Sequence, residues 1–443
     1  MKIALIAMSG IRVCDPELLE MGLTLPGFVE RGKTIASLPS LGLITLAGMT
    51  PAEHTVRYLE IEDLSVQSEL LPDVDLVAIS SYSAQIHEAY ELADRYRASG
   101  VPVVIGGPHA TALPDEAARH CDAVVVGEGE SSWLAVLRDC EAGQLSSRYG
   151  SVDHGFDLSD APMPAFELLD IDRYNRLTVQ TSRGCPHRCE FCASSILLTG
   201  HYKQKPVAKV LAEIDRILSI WKHPFIEFAD DNAMVHKAYW KELLGRLGDR
   251  RIKWFAETDL TVSEDDELLT LLRATGCSQL LIGLESPTPS GLRGLELRND
   301  WKYRHWADYR DAVRRIQSHG VTVNGCFVVG LDGHGPEIFD QVLDFVREAE
   351  LFEVQITIPT AFPGTPFYER LKREGRLIED GRWETCTLFD INFEPAGMSR
   401  DELSRGFKRL ARQLYGEEFT RWRRDTFKQR LRERIKQGNE VGA

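Results

Sequence analysis

Short apolar runs alternate with helical segments twice along these 443 residues, and that alternation restricts the fold more than any other feature. The first series has runs at Lys2–Met8, Thr55–Glu60, Asp75–Ser80, Val101–Ile105 and Ala123–Val126, with helical patterns such as Ile86–Ala98 and Ser131–Glu141 between them. Strands that read as short continuous apolar runs are buried on both faces, which calls for a parallel sheet covered by helices on each side. Residues 1–142 are therefore expected to form a doubly wound, Rossmann-like α/β domain, with any ligand at the carboxyl ends of its strands. Residues 143–175 are rich in Ser, Asp, Gly and Pro around Ala161-Pro162-Met163-Pro164-Ala165 and read as a linker. The second series runs through Leu177–Thr181, Phe225–Ala229, Lys253–Glu257, Gln279–Leu284, Val321–Val329 and Val354–Ile358. Its strand–helix units predict a partial, TIM-like (β/α)6 barrel over 176–360, with the active site at the C-terminal strand ends. A mostly helical extension, 361–443, completes the chain.

Directly after the first barrel strand comes Cys185-Pro186-His187-Arg188-Cys189-Glu190-Phe191-Cys192. A C-x-x-x-C-x-x-C loop can hold three irons of a 4Fe–4S cluster and leave the fourth iron open for an outside ligand. The alternative is a structural zinc site with His187 as fourth ligand. Zinc ligands usually come as two separated pairs, and the sequence has no second C-x-x-C. The apolar start, Met1–Ala7, is too short for a signal peptide, and no run approaches the roughly 18 apolar residues of a spanning helix. A cytoplasmic location is expected, so the cysteines should be thiols or metal ligands rather than disulfides. Cys14, Cys121, Cys140, Cys277, Cys326 and Cys386 are scattered and read as small apolar residues. A net charge of −15 argues against nucleic acid as a partner.

The strand ends of the first series read Ser80-Ser81-Tyr82-Ser83, Gly106-Gly107-Pro108-His109-Ala110-Thr111 and Gly127-Glu128-Gly129-Glu130. Glycines there allow close approach of a bulky ligand; read singly, the same residues make an ordinary turn and a helix entry. Together they resemble the cobalamin-binding domain that precedes many radical S-adenosylmethionine (SAM) enzymes. The resemblance assigns Ser80, Ser81, Gly106, Gly107, His109, Thr111, Gly127, Glu128, Gly129 and Glu130 to cobalamin. The chain has no Asp-x-His-x-x-Gly, so His109 is expected to position the corrin and not to ligate cobalt. The cysteine array, with Phe191 before its last cysteine, resembles the radical SAM motif. It implies Cys185, Cys189 and Cys192 on the cluster, with Phe191, Asp230, Glu285, Ser286 and Gly330 around SAM. The neighbouring Asp231 can equally be read as a helix cap.

Beyond the barrel, Ala361–Tyr368, Arg373–Leu377 and Phe393–Ser399 look like the extension of the radical SAM subgroup that includes the hopanoid C-2 methylases. Taken together, the resemblances imply a cobalamin-dependent radical SAM C-methyltransferase. It would act on an unactivated carbon through a 5′-deoxyadenosyl radical and methylcobalamin. Cyclisation, rearrangement or oxidation without methyl transfer is the alternative, and a non-catalytic metal-stapled binding protein a more distant one. The expected partners are a small-molecule or lipid-like substrate and a reductant such as flavodoxin or ferredoxin. The last helix, Thr420–Gln437, carries many arginines and lysines and a thin stripe of Phe427, Leu431 and Ile435. It reads either as a peripheral membrane contact or as a solvated helix packed by one edge.

Overall fold

The computed structural model describes residues 1–23, 38–152, 155–194, 201–248 and 250–441. Six strands make the first sheet: β1 (Lys2–Met8), β2 (Thr55–Ile61), β3 (Leu76–Ser80), β4 (Val103–Gly106), β5 (Ala123–Val126) and β6 (Arg148–Gly150). Their order is β2-β1-β3-β4-β5-β6, and every neighbouring pair is parallel. Ile3 to Ile6 of β1 are buried, as both-face coverage requires. The chain leaves β1 for one side and returns to the other at β3. The switch point therefore lies between these two strands.

β6 corrects the expected domain limit. The sheet runs on to Gly150, so residues 143–150 belong to the first unit and not to a linker. A three-residue edge strand, Arg-Tyr-Gly, has too little apolar pattern to be read from sequence. The rest of the connection is also docked. The Ala165 amide donates to Ile44 O at 2.8 Å, and the Tyr174 hydroxyl donates to Glu60 Oε1 at 2.8 Å.

The second sheet holds β7 (Leu177–Val179), β10 (Phe225–Ala233), β11 (Lys253–Thr258), β12 (Cys277–Glu285), β13 (Thr322–Val328) and β14 (Glu353–Thr357), all parallel, in the order β14-β13-β12-β11-β10-β7. A small antiparallel ribbon, β8 (Ser182–Arg183) with β9 (Lys203–Gln204), flanks the cysteine loop. Amphipathic helices cover the outside. Val207–Ile220 and Lys237–Leu247, for example, bury Ile214, Ile217, Leu243 and Leu244 against the strands.

The extension straps the barrel to the first domain. The Asp390 carboxylate accepts from the amides of Cys14 and Asp15 at 2.9 and 3.0 Å. Lys408, on the helix Arg400–Tyr415, pairs with Asp15 at 2.7 Å. That helix starts with a Ser399/Glu402 capping box. The last helix spans Glu417–Val441, and its apolar edge is already used. Phe427 meets Phe352 edge-on at 5.1 Å, and Arg423 is fully buried, donating to Glu353 at 2.9 Å. The stripe expected at a membrane thus packs on the barrel as far as the described side chains reach; Ile435 lies outside them. No described helix is long and apolar enough to cross a membrane.

Candidate cofactor site

The cysteine loop is held from β10. Asp230 is buried; its Oδ1 accepts from the amides of Thr181 and Ser182 at 2.7 and 2.8 Å, and its Oδ2 accepts from the Thr181 hydroxyl. Burial raises this carboxyl to about 6, with the three hydrogen bonds opposing. The sequence places Asp230 on SAM; here both of its oxygens fix the lead-in to the cysteines. Asp231 caps no helix. Its Oδ2 accepts from the Gly184 amide at 2.7 Å and its Oδ1 from the Ser194 hydroxyl. Gly184 has φ +85°, so the chain enters Cys185 through a left-handed turn.

Cys185, Cys189 and Cys192 are not joined in disulfides. Burial, and then the charge of Cys192 among other groups, pushes Cys185 up to about 11 and Cys189 well above the ordinary thiol range. Asn232 donates to Cys185 Sγ at 3.7 Å and to Asp259 at 2.8 Å. Outer hydrogen bonds of this kind orient and tune metal-bound thiolates. The donor set fits three irons of a cluster. It does not fit zinc with His187, because both ring nitrogens face carboxylates: Nε2 lies 3.1 Å from Asp259 and Nδ1 lies 3.6 Å from Glu296. Burial disfavours the imidazolium, yet the bonds to Asp259 and Glu296 outweigh it and raise His187 to about 9.

The remaining barrel ends are wired internally. Glu285 is buried with φ +60°, a strained conformation for a non-glycine residue. Its carboxylate accepts from Lys302 Nζ at 2.5 Å, and Lys302 also donates to Gly283 O at 2.8 Å. Lys302, missed in the sequence, is a buried cation whose charge acts on both Cys185 and Cys189. Ser286 and Gly330 are joined through His334, also missed. Nε2 lies 2.9 Å from Ser286 Oγ, and Nδ1 accepts from the Gly330 amide at 3.3 Å. Burial lowers His334 to about 4, so the ring is neutral, as accepting that amide requires. Gly330 has φ +99°, and a Cβ there would lie 2.9 Å from Leu403. Phe191 is partly buried against the core. Neither lysine nor histidine carried a motif, and each depends on partners distant in the chain.

Opposite the ends of β7 and β10, the first sheet forms the other wall of one cleft, centred on its switch point. Ser80, Gly106, Gly107, Gly127, Glu128, Gly129 and Glu130 line it, facing Thr178, Gln180, Arg183, Glu227, Ala229 and Asp231 of the barrel. Its open volume, including the part continuous with solvent, is ≈ 2030 Å³. The enclosed part, ≈ 510 Å³, lies within the range of ordinary small-molecule pockets, and the rest is open to solvent. Ser9, on the rim after β1, has a buried hydroxyl with no hydrogen-bond partner among the described residues. A large ligand at the switch point fits these residues, and cobalamin is such a ligand.

Three of the residues assigned to cobalamin do not line the cleft. His109 is 1% exposed and is not among its lining residues. Its Nδ1 lies 2.9 Å from Ser83 Oγ and its Nε2 lies 3.2 Å from Glu116, while Trp383 of the extension packs edge-on at 5.3 Å and bonds the same Glu116 at 3.1 Å. Thr111 accepts from the Gly127 amide at 3.0 Å, and Ser81 donates to Tyr82 O at 2.9 Å. Those two support the loops and do not line the cleft. Glu128 and Glu130 line it but are paired: Arg183 binds Glu128 at 2.8 Å and also Glu130, and Lys203 joins Glu128. Arg183 stands two residues before Cys185, so this bridge ties the cysteine loop to the end of β5.

Family profiles match in the same arrangement: a B12-binding domain over residues 33–137, the radical SAM superfamily over 179–346 and a domain of unknown function, DUF4070, over 365–441. The bacteriochlorophyllide d C-12(1)-methyltransferase of Chlorobaculum tepidum is 27% identical over 86% of this chain and 83% of its own. The hopanoid C-2 methylase of Rhodopseudomonas palustris is 25% identical over 84% and 72%. An anaerobic magnesium-protoporphyrin IX monomethyl ester cyclase of Rubrivivax gelatinosus is 23% identical over 68% and 58%. The radical SAM methyltransferase TsrM of Kitasatospora setae, solved with cobalamin and a [4Fe-4S] cluster, superposes with a TM-score of 0.64 at 15% identity, over 84% of this chain and 75% of that one.

Proposed function

We propose that this chain, a cobalamin-dependent radical SAM protein, transfers a methyl group to an unactivated carbon of a small organic or lipid-like substrate. The observation that carries the reading is the single cleft, with the cysteine loop's supports on one wall and the switch-point glycines on the other. When bound, the cluster, SAM and cobalamin supply one-electron cleavage of SAM and a transferable methyl group. The chain supplies the positions. Cys185, Cys189 and Cys192 hold the cluster, and Asp230 and Asp231 fix the loop that carries them. Lys302 places a buried positive charge near the sulfurs, which favours the more negative, reduced cluster. Arg183 holds the two walls in register through Glu128 and Glu130, and the extension closes the first domain onto the barrel.

The two sequence relatives named as a methyltransferase and a methylase are named for a bacteriochlorophyllide and a hopanoid, so a bulky apolar substrate is the first class to test. The relative named as a cyclase supports a second reading, without methyl transfer. Product analysis of anaerobically prepared protein separates the two. Methylation releases S-adenosylhomocysteine together with 5′-deoxyadenosine and a product heavier by one CH2. Turnover with 5′-deoxyadenosine but no coupled homocysteine product overturns the methyltransferase reading. Replacing Cys189 by Ala is expected to abolish SAM cleavage; cleavage that persists removes that residue from the cluster.

A further inference from the structure

Asn232 stands near the end of β10, beside the first residue beyond β11: Ala233 pairs with Thr258, and Asp259 follows. Asn232 is 3% exposed, and its Nδ2 serves two acceptors. It donates to Cys185 Sγ at 3.7 Å and to Asp259 Oδ2 at 2.8 Å. Cys185 also accepts from the His187 amide. The Asp259 carboxylate is itself fixed. Its Oδ1 accepts from the Thr261 amide at 2.9 Å, and its Oδ2 lies 3.1 Å from the His187 ring Nε2. On the far side of that ring, Nδ1 lies 3.6 Å from Glu296, which accepts from the amides of Trp301 and Lys302 at 2.9 and 3.1 Å. A continuous polar network thus runs from Glu296 through His187, Asp259 and Asn232 to the Cys185 sulfur.

This network settles which end of the amide meets the sulfur. A carboxylate and a thiolate both accept, so a turned amide would set Oδ1 against two acceptors at once. Asp259 therefore holds the N–H end of Asn232 toward Cys185. The other end shows the cost: Asn232 Oδ1 is buried with no hydrogen-bond partner among the described residues. An apolar side chain of similar size avoids that loss. Packing alone gives no reason for an amide at this position, whereas the sulfur does.

We propose that Asn232, oriented by Asp259, raises the reduction potential of the cluster through its hydrogen bond to Cys185. The inference rests on the reading of the three cysteines as a cluster site. Reduction adds negative charge that spreads onto the sulfurs, and an N–H aimed at one of them favours the more negative state. The bond lies in a buried place of low dielectric, where it acts more strongly than in water. Asp259 acts through Asn232 and is a positioning residue. Lys302 favours the same state by charge alone; Asn232 does so by a bond with a direction.

The test is a potentiometric titration of the full-length, cluster-loaded protein without SAM, followed by the EPR signal of the reduced cluster. Asn232→Leu keeps the volume and removes the N–H. The equilibrium constant for one-electron reduction should fall about tenfold, a shift of about 59 mV to more negative potential, at equal iron and sulfide content. An unchanged or more positive potential overturns the inference. So does partial loss of iron with the potential of the remaining cluster unchanged, which gives Asn232 a purely structural part. Should Asn232→Leu hold no cluster at all, the unaltered protein decides. Grown with 15N-asparagine, its reduced cluster should show coupling to 15N in pulsed EPR, and absence of that coupling overturns the inference. Failure of the unaltered protein to take up iron and sulfide is a different result: it removes the cluster reading itself.

Discussion

The two walls of the cleft are built on opposite plans. On the first domain the strand ends in the wall are bare at Ser80, Gly106, Gly107 and Gly129, which offer backbone and little else beside the paired Glu128 and Glu130. On the barrel, Asp231 lines the wall half-buried and Asp230, Glu285 and Lys302 are buried behind it, bonded to one another or to the lead-in of the cysteine loop. A bare wall suits a ligand that brings its own bulk and hydrogen-bonding groups. A wired wall suits a small cluster whose position and charge the protein itself must fix. The barrel wall should therefore be the brittle one.

The largest expected effect falls on the wired side. Lys302→Met leaves the Glu285 carboxylate buried and unpaired, which costs about 3–5 kcal/mol. We expect a protein that does not retain its cluster, scored by iron and sulfide content. The double change Lys302→Met with Glu285→Met removes both charges and should recover folding, scored by the thermal midpoint, without recovering SAM cleavage. A single change as mild as a surface substitution would break the contrast.

A middle effect tests the bare side. A Cβ on Gly106 meets only ordinary contacts, the nearest 3.6 Å away at Val125, and φ there is not left-handed. Gly106→Leu should thus fold normally while filling the corrin side of the cleft. Cobalamin retention should fall by about tenfold, ~1.4 kcal/mol, with iron content unchanged. Loss of iron in step with cobalamin would show that the walls are not independent.

The smallest effect is a pH dependence. Glu257, on β11, is raised to about 8, first by burial and then by Glu227, Asp231 and Glu285. A carboxyl raised in the folded state gives stability that is complete below its ordinary range and is lost as pH rises through about 8. The thermal midpoint of the cofactor-free protein should therefore fall from about pH 5 to about pH 8 and level off above that. Glu257→Gln should flatten that fall, and an equal fall in the variant would place its cause elsewhere.

Much of this was legible from the chain because the signals were local. The helix Ile86–Ala98 was read to the residue, and the cysteines sit in one loop after β7. The losses share one cause. Asp230 meets Thr181 across 49 residues, Arg183 meets Glu128 across 55, and Trp383 meets Glu116 across 267. No local pattern reports such a partner. A polar residue at a strand end looks the same whether it awaits a ligand or holds a loop.

The sequence by itself determined the two α/β series, the loop that can hold a cluster and the glycines at the switch point, because periodicity, spacing and the absence of a side chain are properties of neighbours. Only the tertiary structure decided which polar groups are spent inside the protein. Asp230, His109 and the pair Glu128 and Glu130 turn out to be bonded to other side chains or amides, and Lys302 and His334 gain their roles, because burial makes an unpaired polar group costly and the partner that satisfies it is chosen by folding.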